Sequence, residues 1–156
     1  MALNYLHKQN IVHRDIKLEN VLMQTEDKFD LTLKVTDFGF AKTCVPEQGL
    51  SEILGSPLYM APEILQKKSY GTPVDIWAAG VLFHIILVGE PPFMAETKKE
   101  IFEKIRKQDV TYKEPGWKQI SSRCKSLIQQ MLQKDPKTRA TAEKVLQHTW
   151  FDIIKE

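Results

Sequence analysis

The fifteen residues from Val74 to Val88, VDIWAAGVLFHIILV, constrain the fold of this chain more than any other stretch. They include Asp75 and His84 and are too few to span a bilayer, which takes about 20 predominantly apolar residues. A segment this apolar on every side is a helix enclosed by protein. Thr72 offers an N-cap, Pro73 suits the first helical position, and Gly89 followed by Pro91-Pro92 supplies the stop. The rest of the chain must therefore cover one central helix all round. At 156 residues it has one domain's length, enough to bury a core without disulfides or metal.

The covering elements are legible in outline. Residues 1–9 read as the late part of a helix, with Leu3 and Leu6 on one side and Leu3 one turn from His7. Residues 11–20 form a loop opening into a short strand at Val21 to Met23. Leu31, Leu33 and Val35 alternate with polar neighbours, the period of a partnered strand, and the polar stretch 24–30 closes a hairpin between the two. Residues 37–60 show no period and are broken by Pro46, Gly49, Gly55 and Pro57, and a loop this long in a compact domain is usually functional or mobile. Glu96 to Lys107 is amphipathic, with Ile101, Phe102 and Ile105 on one face and Glu100–Lys104 and Glu103–Lys107 as i,i+4 pairs on the wet side. Ser121 and Thr141 cap two further helices, reaching Leu132 and Gln147. The expected class is mainly α with a short β-hairpin.

A net charge of +2 is too small to imply a nucleic-acid or membrane partner, and no basic patch is interleaved with aromatics. Cys44 and Cys124 are eighty positions apart, without metal-ligand spacing, and fit a reducing cytoplasmic or nuclear compartment. A redox role for Cys44 would need an exposed, electropositive setting.

Three strings carry the chemistry: His13-Arg14-Asp15 with Lys17 and Asn20, then Asp37-Phe38-Gly39, then Ala61-Pro62-Glu63. Asp15 precedes Asp37 by 22 positions and Asp37 precedes Glu63 by 26. Any one of these residues alone is a turn or surface residue; in this order they form a constellation. HRDIKLEN at 13–20, DFGFAK at 37–42, GSPLYMAPE at 55–63, VDIWAAGV at 74–81, GEPPF at 89–93 and KDPKTRATAEKVLQHTWF at 134–151 resemble the C-terminal lobe of a eukaryotic serine/threonine protein kinase. Within that superfamily the chain is most similar to the calcium/calmodulin-dependent group, including the calcium-dependent kinases of plants and protists. The resemblance covers residues 1–156 as a partial kinase domain, from the late helix before the catalytic loop to the last helix.

That resemblance implies transfer of the γ-phosphate of ATP, with Mg²⁺, to a serine or threonine hydroxyl of a protein. It makes Asp15 the acceptor of the hydroxyl proton and Lys17 a point charge on the same phosphate. Asn20 and Asp37 become oxygen ligands of Mg²⁺, and Leu22 the floor under the adenine. Glu19 belongs to the same nucleotide-facing set and also resembles the carboxylate that attracts basic residues upstream of the acceptor, although Ile85 stands where a second such acid is common. Lys17 with Ser56 matches the serine/threonine pattern, not the tyrosine one. Glu63 and Arg139 resemble a buried ion pair, and Asp75 an aspartate that accepts catalytic-loop amides; both are structural. Glu52 stands three residues before Gly55, where many relatives carry a phosphorylated threonine, and is expected to direct a fixed negative charge at Arg14, with Ser51 as an alternative phosphosite.

The 156 residues contain no glycine-rich phosphate loop and no strand-borne lysine. The expectation is therefore that the small lobe and the start of the large lobe are missing, that the isolated chain has negligible activity, and that it folds marginally. Several hundred Å² of lost apolar cover, at about 25 cal/mol per Å², equals several kcal/mol, comparable to a domain's stability. The alternative is a truncated, non-catalytic kinase-like module that binds partners through the helix at 96–107.

Overall fold

The apolar run folds as one helix in the computed structural model, which describes residues 1–45, 47–112 and 115–154. Pro46, one of the breakers noted above, lies outside the described residues. In chain order the helices are α1 (Ala2–Lys8), α2 (Pro62–Leu65), α3 (Pro73–Val88), α4 (Lys98–Lys107), α5 (Ser122–Met131) and α6 (Ala142–Leu146). The strands are β1 (Ile11–Val12), β2 (Val21–Met23), β3 (Leu33–Val35) and β4 (Lys42–Thr43). Short 3-10 turns occur at Leu18–Asn20, Pro57–Tyr59, Pro115–Gln119 and Thr149–Ile154. The result is the mainly helical lobe with small antiparallel strand pairs that the sequence implies.

Helix α3 is the axis. Val74 through Leu82 and His84 are buried, and only toward the end does the helix emerge, at Ile86. It packs on α5 and on the turns at 57–59 and 115–119, while α1 lies against α6 and β1, and α2 against α4. Gly80 allows the close approach of α5: a Cβ there would come within 2.8 Å of Leu132 and 3.0 Å of Met131. Gly89, at φ +87°, ends the helix by donating its N–H to Ile85. Among the described residues no helix is long and apolar enough to cross a membrane.

Thr72 does not cap α3. Its own backbone is already helical and its side chain makes no capping bond. Pro73 has no N–H, and the amides of Val74 and Asp75 bond to the carbonyls of Gly71 and Thr72, so the first turn leaves the hydroxyl nothing to accept from. Elsewhere the expected caps form: Ser121 accepts from Cys124 N and Thr141 from Lys144 N, each at 3.2 Å. On α4, Glu103 pairs with Lys107, but the expected Glu100–Lys104 pair is absent. Glu100 instead turns back to Thr97 in a reciprocal capping box, and Lys104 donates to the Met94 carbonyl. The orphan amides of the helix start outcompete an exposed ion pair worth a few tenths of a kcal/mol.

The hairpin pairs β2 with β3 in the register Val21–Val35, Leu22–Lys34 and Met23–Leu33. Leu31 falls outside the strand; the ribbon touches the core through Val21 and Val35 at its base, while Leu22, Leu31 and Leu33 farther out are exposed. A second ribbon, β1 with β4, pairs Ile11 with Thr43 and Val12 with Lys42. Two-residue strands are too short to show a period, so residues 11–20 and 37–60 read as loop.

Arg139 fastens the lobe. Its guanidinium makes a two-pronged contact with Glu63 on α2, at 2.7 and 2.9 Å, and both residues are buried. The remaining N–H groups reach the carbonyls of Gln133, Pro73 and Lys134, so all five donors are used. Its Cζ also lies 5.1 Å from the Trp77 ring centre.

Candidate active site

Residues 13–20 are held from below by α3. The Asp75 carboxylate, in the first turn of that helix, is buried and accepts the backbone N–H of His13 and of Arg14, each at 2.9 Å. His7 on α1 donates its Nε2–H to the same carboxylate at 2.9 Å. A carboxylate taken out of water needs such donors, and three are present. Arg14 adopts φ +70°, a bend that turns the loop over α3.

The loop is also tied to the strand that leads to Asp37. Buried His13 donates Nε2–H to the Thr36 carbonyl at 3.0 Å, and its Nδ1 accepts the Asp15 amide at 3.3 Å. Thr36 in turn bonds the Asn20 carbonyl through both its N–H and its hydroxyl. Asp37 therefore emerges beside the segment carrying Asn20. It is exposed, at φ +59°, and its carboxylate accepts the Gly39 amide at 3.2 Å.

Asp15 sits at the centre, 5% exposed. Lys17 Nζ donates to Oδ2 at 2.7 Å, Asn20 Nδ2 to Oδ2 at 3.1 Å, and Ser56 Oγ to Oδ1 at 3.1 Å. Asn20 also reaches the Asp15 backbone carbonyl at 2.8 Å. Burial opposes the Asp15 charge, but the bonds from Lys17, Ser56 and Asn20 outweigh it and hold the carboxyl below its usual range. The Asp15 bond raises the Lys17 amine in turn, and the carboxylates of Glu19 and Asp37 add to that. Lys17 thus stands in the field of all three acids.

Ser56 reaches Asp15 because of the glycine before it. Gly55 has φ +103°, and a Cβ there would lie 2.7 Å from the Arg14 carbonyl oxygen. Only a residue without a side chain lets the segment cross the loop at that distance. On the other face Arg14 Nη1 meets Glu52 Oε2 at 2.6 Å, with Lys42 Nζ on the same oxygen at 3.1 Å. The two cations hold the Glu52 carboxyl below its usual range, Arg14 first.

Of the residues singled out from sequence, Asp15, Lys17 and Asn20 are in direct contact, and Asp37 and Glu19 lie within the charge field of Lys17. Leu22 stands two residues beyond Asn20 on β2, half-exposed and opposite Lys34. Glu52 meets Arg14 as expected. His7, Lys42 and Tyr70, whose hydroxyl donates to the Glu52 carbonyl at 2.7 Å, were not distinguished by sequence reasoning. His7 had one signal, a histidine closing a helix six residues before His13; Tyr70 had none. Cys44 is buried and its thiol pKa is pushed up by that burial, the reverse of the setting a redox role needs.

A family model for the protein kinase domain matches residues 1–151. Calcium-dependent protein kinase 16 of Oryza sativa subsp. japonica is 45% identical over 150 residues, covering 96% of this chain and 27% of that protein. Serine/threonine-protein kinase DCLK3 of Mus musculus is 44% identical over 155 residues, covering 98% and 19%. Serine/threonine-protein kinase 33 of Bos taurus is 40% identical over 160 residues, covering 96% and 32%. The chain thus spans from 19% to 32% of the length of these relatives.

Proposed function

We propose, for a chain that belongs to the protein kinase domain family, that residues 13–63 form the large-lobe half of a serine/threonine phosphotransfer site. The observation that carries this reading is the Asp15 carboxylate, buried, ionised and gripped by Lys17, Asn20 and Ser56. A base for a protein hydroxyl must be fixed in direction and kept charged, and these three donors do both. Asp15 Oδ orients the acceptor hydroxyl and takes its proton as the oxygen bonds to the γ-phosphorus and the bond to the departing diphosphate breaks. Lys17, held between Asp15 and Ser56, supplies the charge that neutralises the transferring group in this reading.

The donor set suits magnesium. Asn20 commits its amide N–H to Asp15, leaving the amide oxygen as its remaining donor, and Asp37 offers an exposed carboxylate. Two hard oxygens match an ion that keeps waters and substrate phosphates in its shell. Among the described residues no cluster of three or more His, Cys, Asp or Glu side chains could hold a metal. Mg²⁺, when bound, would screen the charge that develops on the phosphates. Leu22 presents half-exposed apolar surface for the adenine, and Glu19 a carboxylate for a basic residue near the acceptor.

The 156 residues hold no glycine-rich loop, and by themselves they transfer negligible phosphate. Joined to the small lobe of a relative, the chain phosphorylates a serine peptide with MgATP. Asp15→Asn then lowers kcat by about 10²–10⁴-fold, the usual worth of a positioned base. Transfer insensitive to that change, or directed to tyrosine, overturns the reading; so does transfer by the isolated chain that Asp15→Asn abolishes, for the claim of inactivity.

A further inference from the structure

Tyr70 lies between α2 and α3, with 5% of its surface exposed. Its main chain makes both hydrogen bonds of an isolated antiparallel bridge with Leu50, at 2.8 and 2.9 Å. Its hydroxyl donates to the Glu52 carbonyl at 2.7 Å and faces Arg14 Nη1 at 3.5 Å. The same Nη1 carries the Glu52 carboxylate. One buried phenol therefore touches the backbone on which Glu52 sits and the guanidinium to which Glu52 points.

We infer that Tyr70 is a positioning residue: its hydroxyl, and not the Glu52–Arg14 charge pair, sets where the segment at 50–54 lies against the loop bearing Asp15. The ion pair is poorly suited to that task. The Arg14 side chain is 6% exposed, but the Glu52 side chain is 46% exposed and its second cation, Lys42, 49%, so water and salt reach the carboxylate and weaken the attraction. The Tyr70 bond is shielded and acts on main chain, which fixes the Cα of Glu52 whatever its side chain does. Arg14 closes the link. Its Nε donates to the Phe40 carbonyl and its backbone N–H to Asp75, one residue before Asp15. Downstream, Ser56 ties the same segment to Asp15 directly. Tyr70 and Ser56 are then the two ends of one strap, with Gly55 passing over Arg14 between them. The inference deepens the proposed reading of the site, and its test needs no activity.

Tyr70→Phe keeps the ring and removes only the hydroxyl. Hydrogen exchange on the 156-residue chain should show the Leu50 amide, bonded to Tyr70 O, exchanging about tenfold faster, as one lost hydrogen bond gives. The Leu132 amide, bonded to Ile128 in the core, should keep its rate. Raising salt from about 0.1 M to about 1 M, where screening shortens to roughly 3 Å, should leave Leu50 exchange unchanged in the parent. In Tyr70→Phe it should accelerate, because of the two ties on Glu52, the Tyr70 hydroxyl on its carbonyl and the cations on its carboxylate, only the ion pair remains. A Leu50 rate unaltered by Tyr70→Phe overturns the inference, as does acceleration shared equally by Leu132, which would make the hydroxyl a general core bond. Should the phenylalanine chain not fold, 3-fluorotyrosine at position 70 keeps the fold and makes a stronger donor. Leu50 exchange should then slow, and an unchanged rate overturns the inference. A catalytic failure of the two-lobed enzyme with the exchange pattern intact would count against the proposed activity, not against Tyr70.

Discussion

Removing half of the Glu63–Arg139 pair should harm the lobe more than removing all of it. Glu63→Met leaves Arg139, 4% exposed, with a charge and no carboxylate, and breaking a buried pair this way costs about 3–5 kcal/mol. Arg139→Met strands Glu63, 3% exposed, by a similar amount and also leaves the carbonyls of Gln133, Pro73 and Lys134 without their donor. At roughly 1 kcal/mol for each net hydrogen bond, that adds about 3 kcal/mol. The double variant loses the pair and its desolvation together, so only the three carbonyl bonds remain to be counted, again about 3 kcal/mol. The predicted order of harm is Arg139→Met, then Glu63→Met, then the double variant.

Urea unfolding followed by tryptophan fluorescence reads this directly. With a slope of about 2 kcal/mol/M, the single variants should lower the midpoint by about 1.5 M or more, and the double by about 1.5 M at most. Against a domain stability of about 5–15 kcal/mol, a single variant that is unfolded in buffer beside a folded double variant is the same result in stronger form. A double variant whose loss equals the sum of the two singles would refute the reasoning, because it would mean the two charges are stabilised independently.

Two further outcomes follow from the charge environments. The Glu52 carboxyl is held below its ordinary pKa by Arg14 and then by Lys42. What its charge contributes to the contact with Arg14 is therefore complete above the ordinary carboxylate range and lost as pH falls through the lowered value. An NMR titration should show Glu52 and the Arg14 side chain moving together at that lower pH, and Glu52→Gln should abolish the Arg14 change; an Arg14 signal that titrates regardless would refute the contact. Cys44 and Cys124, both buried and both shifted upward by burial, should resist iodoacetamide at neutral pH in the folded chain and react on addition of urea. Rapid labelling of folded Cys44 would contradict its burial beneath Tyr70 and Gly71.

What could be read from sequence divides along a physical line. Helices of ten or more residues announce themselves through period and caps, so α3, α4 and α5 were placed to within a residue or two. The contact of Asp15 with Lys17 and Asn20 was legible because the three fall at short spacings along a single loop, and Asp37 follows the strand tied to it. What closes the site was not legible, since it comes from residues distant in the chain. His7 meets Asp75 across 68 positions and Tyr70 meets Glu52 across 18, and neither carries a pattern that its neighbours share. Thr72 and Glu100 fail for the opposite reason. Each obeyed a local rule, but a nearby backbone group offered a stronger partner or had already taken the bond. Asp75 shows why the distinction matters for function. Its own helix buries it, yet its three donors come from α1 and the loop at 13–14, so the position of Asp15 is decided by which distant amides a core carboxylate recruits. Geometry at the Asp15 carboxylate is thus set from the core outward, and a change in α1 that removes the His7 donor would reach the loop bearing Asp15 through Asp75.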